Sequence, residues 1–104
     1  METYGIKYEF NAKPWQYNGA NSWVFVSLPS GIANEIRNYF KNEEEGWGRL
    51  KATAQIGDSI WKTAIWFDTK LNTYLLPLKA AIRKIELIEF DKNIAIVLLF
   101  FYSR

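Results

Sequence analysis

The sequence predicts a mainly β, α+β domain with two short helices, and three observations carry that expectation. Aromatic residues make up 17% of the chain, about twice an ordinary share, and they suit pleated, half-buried surfaces. Most of the chain falls into short runs of alternating polar and apolar residues separated by turn formers. Two extended runs end in Leu-Pro, at Leu28-Pro29 and Leu76-Pro77, and pass into short helical patterns. Proline's fixed φ and missing N–H suit a strand-to-helix corner, and the ring pushes the preceding leucine into an extended conformation. At 104 residues and 49% apolar, residues 1–104 can bury a core as a single domain without staples.

In chain order, Ile6, Tyr8 and Phe10 alternate with Lys7, Glu9 and Asn11, the pattern of a half-buried first strand. The stretch Ala12 to Asn21 reads as a loop carrying Trp15 and Tyr17. These two aromatics either line a ligand pocket or lid the end of a barrel. A second strand runs from Ser22 to Leu28 and enters the first helix at Pro29, whose apolar stripe is Ile32, Ala33, Ile36, Tyr39 and Phe40. The acidic run within Lys41 to Gly46 reads as a solvated loop.

The next strand places Trp47, Arg49, Lys51, Thr53 and Gln55 on one face and Leu50, Ala52, Ala54 and Ile56 on the other. Gly57-Asp58 then offers a two-residue hairpin turn into Ser59 to Phe67. With Ile56 opposite Ser59, the register sets Arg49 against Trp66, Lys51 against Ala64 and Thr53 against Lys62. One face of the hairpin then shows Arg49, Lys51, Lys62 and Trp66. Such a basic, aromatic face is either an ordinary solvated surface or a platform for single-stranded nucleic acid; no aromatic ladder is visible to favour the platform.

A turn at Asp68 to Asn72 leads to the second Leu-Pro corner, after which Leu78, Ala81, Ile82 and Ile85 share one helix face and Lys79, Arg83, Lys84 and Glu86 the other. Glu89 to Asn93 is a turn, and Ile94 to Tyr102 is a last strand with two apolar faces. Both faces need cover, from a helix outside and a barrel inside, or from a second subunit in a homodimer. The two strand–Leu-Pro–helix units suggest a structural pseudo-repeat closing around a shared core. The expected core is Ile6, Tyr8, Phe10, Val24, Val26, Leu28, Ile36, Leu50, Ile56, Ile65, Leu76, Ile82, Ile85, Ile96 and Leu98.

Without cysteine or histidine, the chain has no disulfides, no thiol chemistry, no His or Cys metal ligands and none of the usual catalytic triads. No cofactor is expected. The N-terminal residues lack the basic and apolar regions of a signal peptide, and the longest apolar run is far short of the roughly twenty residues that cross a bilayer, so a soluble, cytoplasmic protein without a membrane partner is expected. A net charge of +2 implies no polyanionic partner by itself.

Phe10, the run Trp23 to Pro29, a basic strand reaching Ile56-Gly57, Trp61-Lys-Thr63, and Tyr74 to Lys79 with Arg83-Lys84 together resemble the bacterial and archaeal family catalogued as domain of unknown function 1905. The most specific piece is Tyr-x-Leu-Pro-x-Lys-x-x-x-Arg-Lys, matched by Tyr74, Leu76, Pro77, Lys79, Arg83 and Lys84. The family pattern has a Gly-Asp turn before the last strand where this chain has Phe90-Asp91, which denies that turn glycine's left-handed conformations. The resemblance implies a small six-stranded β-barrel with two short helices, similar to the double-split barrels. Some relatives of that barrel class bind DNA as dimers, but a fold does not transfer a function, and the family has no established activity.

Three functional readings follow. The first, which the residues favour, is a non-catalytic binding module that meets a small anionic ligand or a protein through Lys79, Arg83 and Lys84 at the helix start, with Trp15 and Tyr17 beside it, as monomer or homodimer. The second is nucleic-acid binding through Arg49, Lys51, Lys62 and Trp66 with Lys79 and Arg83, which requires one continuous basic face. The third is an enzyme working through Asp58, Asp68 or Asp91 with lysine or tyrosine, although turn aspartates usually cap the backbone.

Overall fold

The computed structural model describes residues 3–17 and 23–103; residues 18–22, assigned above to the first loop and second strand, and the side chains of Thr3, Trp47, Tyr102 and Ser103 lie outside the described residues. The strands are β1 (Thr3–Ala12), β2 (Trp15–Gln16), β3 (Val24–Ser27), β4 (Arg49–Ile56), β5 (Ser59–Asp68), β6 (Thr73–Pro77) and β7 (Ile94–Ser103). The helices are α1 (Ser30–Phe40) and α2 (Ala80–Ile85). Seven antiparallel strands make one curled, half-barrel sheet in the order β1-β7-β4-β5-β6-β3-β2.

This corrects the expected six-stranded closed barrel in two ways. Part of the first loop is a strand, because Trp15 and Gln16 pair with Phe25 and Val24, and the Trp15 indole N–H donates to Ser27 Oγ at 2.9 Å. The terminal strands of the order, β1 and β2, share no ladder among the described residues. Only Lys13 and Pro14 separate them in the chain, so a covalent corner joins the two ends where a seventh ladder would close a barrel, and proline has no N–H to give to one.

The two-residue turn at Gly57-Asp58 sets the β4–β5 register as expected: Ile56 pairs with Ser59, Thr53 with Lys62, Lys51 with Ala64 and Arg49 with Trp66. Gly57 takes φ +57°, the left-handed value such turns use. At the other end of the sheet, Ile6, Tyr8 and Phe10 of β1 lie opposite Phe100, Leu98 and Ile96 of β7. The chain's first and last strands therefore close one flank of the core together.

α1 begins at Pro29, whose φ of −57° and ψ of 144° end the extended run. It buries Ala33, Ile36 and Phe40 against the inner face of the sheet, where the Phe40 ring stacks on Phe100 with centroids 5.2 Å apart. Tyr39, expected in the same stripe, is exposed. The second corner differs from the first: β6 runs through Pro77, and the helix starts only at Ala80. With six residues, α2 has fewer than two turns. Leu78 and Ile82 are buried, while Ala81 is exposed and Ile85, expected in the core, is 67% exposed. The other predicted core residues are buried except Ile6, which is half-buried.

α2 ends in a Schellman-type motif, with Ile88 N–H donating to Arg83 O and Leu87 N–H to Lys84 O. Leu87 holds the left-handed position at φ 52°, where glycine is the usual occupant. The following Phe90-Asp91 turn needs no glycine. Lys92 N–H donates back to Glu89 O, and Phe90 and Asp91 keep negative φ.

The acidic run after α1 is not simply a solvated loop. Glu44, 11% exposed at its side chain, lies 3.3 Å from the Arg37 guanidinium and accepts the phenolic hydrogen bond of Tyr74. Arg37 in turn stacks over the Phe67 ring at 3.7 Å. Burial first, and the Glu44 carboxylate second, push the Tyr74 phenol well above its ordinary range. This cluster pins the segment after α1 to β5 and β6.

A basic, tryptophan-rimmed groove

Strand alternation sends Arg49, Lys51 and Thr53 of β4 and Lys62, Ala64 and Trp66 of β5 to the sheet face opposite the core. Thr53 pairs with Leu99, so the second apolar side of β7 lies on that face too. Of the two covers expected for this strand, the outer helix is not what the structure has. No helix covers it among the described residues; Val97 and Leu99 are half-buried, and Phe101 is exposed. Leu99 and Phe101 instead help to floor a groove of about 640 Å³.

On the N-terminal side of Trp66, β5 parts from β6: their ladder covers only Trp66–Leu75, Phe67–Tyr74 and Asp68–Thr73. After Leu76 the chain bends through the Pro77 corner into α2, leaving a cleft of about 340 Å³ between the first half of β5 and the α2 corner. The cleft and the larger groove share Trp23, Lys62, Thr63 and Pro77, so they are two halves of one depression. Lys79 and Arg83 stand on the wall of the smaller half, Arg49 and Lys51 on that of the larger.

The electrostatics are one-sided. The whole chain carries 13 Lys and Arg against 11 Asp and Glu, yet among the described residues five cationic side chains and no carboxylate line the depression. Glu45, at its edge, pairs with Arg49 and lies 3.9 Å from Lys51. Lys62 and Lys79 have no ion pair among the described residues. Arg83 donates its Nε–H to Leu78 O at 3.0 Å, which holds the guanidinium at the cleft and leaves its terminal nitrogens for another acceptor. The Arg49 guanidinium lies 5.7 Å from the Trp66 ring, within cation–π range.

Arg49, Lys51, Lys62 and Trp66 share one depression with Lys79 and Arg83, the residues that the nucleic-acid reading grouped. Lys84 is exposed on α2 and is not part of its lining. Trp15 and Tyr17 do not line it either. Trp15 packs on Phe25 with centroids 5.4 Å apart, and Phe25 stacks on Trp23 at 5.9 Å with an interplanar angle of 9°. Trp15 therefore backs the groove's rim through Phe25, while Tyr17 is exposed and donates its N–H to Trp23 O. A six-residue helix develops little macrodipole, so the positive field comes from side chains rather than from the helix start.

Trp23 was legible as a rim residue and was overlooked: it alternates out of phase with the buried Val24 and Val26. Asp58 and Asp91 are exposed in turns, and Asp68 accepts the Leu71 N–H at 2.9 Å, a local cap. No helix is long and apolar enough to cross a membrane among the described residues. Comparison with curated proteins finds no match. The family described as Domain of unknown function (DUF1905) matches residues 10–98, a span that holds β3 to β6, both Leu-Pro corners and nearly all of the groove. The chain belongs to that family.

Proposed function

We propose that this protein is a non-catalytic binding module whose ligand is anionic and lies in the groove between the β4–β5 hairpin and the α2 corner. One observation carries the reading: Lys62, Lys79 and Arg83, which have no carboxylate partner among the described residues, converge on one concavity with Arg49 and Lys51. Cations standing around an apolar, concave floor attract an anion and hold its uncharged part out of water. The pseudo-repeat belongs to the same reading. Ser27 pairs with Leu75, each one residue before the leucine of its Leu-Pro, so a two-fold relation between the corners would pass through that pair and place the groove beside it.

The test uses inorganic tripolyphosphate as a probe in thermal unfolding at low salt. A ligand that binds only the folded state raises the melting temperature with its concentration. The wild type is expected to respond, and the double variant Lys62→Glu/Lys79→Glu, altered at two exposed positions, to melt normally and lose the response. An equal response in both proteins refutes the site.

A further inference from the structure

We infer that the ligand of this groove is a single-stranded nucleic acid, its phosphates on Lys62, Lys79 and Arg83 and its bases against Trp23 and Trp66; this deepens the binding-module reading and rests on it. The charges are strung out rather than focused. Arg49 and Lys51 are on β4, Lys62 on β5, and Lys79 and Arg83 beyond the Pro77 corner, so they succeed one another from the larger half of the groove to the smaller. The depression spans strands β7, β4, β5 and the end of β6. The cations themselves cross from β4 over β5 to the stretch beyond β6, two inter-strand steps or about 10 Å at the least, a path for a chain of phosphates.

The apolar component is flat. Trp23 is half exposed where the two halves of the groove meet, and its indole is braced from behind by Phe25. Trp66 is 37% exposed in the larger half. Exposed indoles beside a line of cations are the two components that hold single strands without reading sequence, because every base has a face to stack. The two indoles come from β5 and from the residue before β3, which are distant in the chain. A duplex is disfavoured by shape: readers of duplex DNA push a helix or a ribbon into a groove, and here the basic surface is itself concave.

The experiment is fluorescence anisotropy with a labelled oligothymidylate of about ten nucleotides, an abasic strand of the same length, and a duplex. Expected is binding of oligothymidylate that weakens roughly 20-fold between about 50 and 200 mM salt, as for three phosphates at about 0.7 counterions each. The abasic strand and the Trp23→Ala variant should each bind about tenfold or more weakly, with the variant's melting temperature close to wild type. Tripolyphosphate is run beside them. If it protects the protein while the abasic strand binds as tightly as oligothymidylate, or the duplex binds more tightly, the single-strand assignment is overturned and anion binding stands. If tripolyphosphate also fails, the binding-module reading has failed with it.

Discussion

Deleting the carboxylate of Glu44 is expected to destabilise the fold by an amount the structure allows to be worked out. Tyr74 is fully buried, and Glu44 accepts its O–H. In Glu44→Ala that hydroxyl loses its acceptor in a place water does not reach, which costs about 1–3 kcal/mol. The pair with Arg37, partly exposed at 32% and 11% of the two side chains, adds roughly 0.5–1 kcal/mol at most. The sum is about 1.5–4 kcal/mol, or very roughly 6–30 °C in a chain of this size. Tyr74→Phe removes donor and need together and should cost only about 1 kcal/mol. The double variant should therefore be about 1–2 kcal/mol more stable than additivity predicts. Urea titration followed by tryptophan fluorescence measures all three variants. A Glu44→Ala protein within 0.5 kcal/mol of wild type, or strict additivity, would refute the account of a buried, mutually dependent pair.

Two further predictions concern stability. Leu87→Gly should stabilise the protein by about 0.5–1 kcal/mol, since relief of the left-handed strain at an exposed leucine outweighs the extra chain entropy of glycine in the unfolded state; a higher urea midpoint with unchanged slope is the expected readout, and a lower one contradicts it. Alkaline pH should unfold the protein through its buried tyrosines. Burial first and Glu35 second push the Tyr8 phenol up to about 12 from its ordinary value of 10.0. Above pH 10 the unfolded chain releases this proton before the folded one does, so the stability contribution is complete below pH 10 and is lost as pH rises toward 12. Urea midpoints should fall over that window and fall less steeply in Tyr8→Phe; a flat wild-type profile would contradict the reading.

Local chemistry made much of this fold legible. A two-residue turn permits one register, so Gly57-Asp58 specified every cross-strand pair of β4 and β5, including Arg49 opposite Trp66. The period-two pattern separated Leu50, Ala52, Ala54 and Ile56 from Arg49, Lys51 and Thr53 before any coordinates. The failures came where an element's length or partner decides. Ile85 fits the helical stripe, but the helix is too short to press its last turn onto the core. The strand within the first loop forms because Phe25 and Ser27 offer Trp15 a partner.

What the sequence determined by itself was therefore the mainly β character, the two Leu-Pro corners, the hairpin register and the identity of the cationic residues, all set by neighbours within a few positions. The tertiary structure alone decided that Glu44 finds Tyr74 thirty residues away, that the apolar outer side of β7 becomes the floor of a groove, and that the hairpin's cations and those of α2 face the same space. Those outcomes depend on the strand order β7-β4-β5-β6 and on β6 leaving β5 at the Pro77 corner. Contacts between distant segments form only when the whole sheet curls around one core, and no local pattern encodes the direction of that curl.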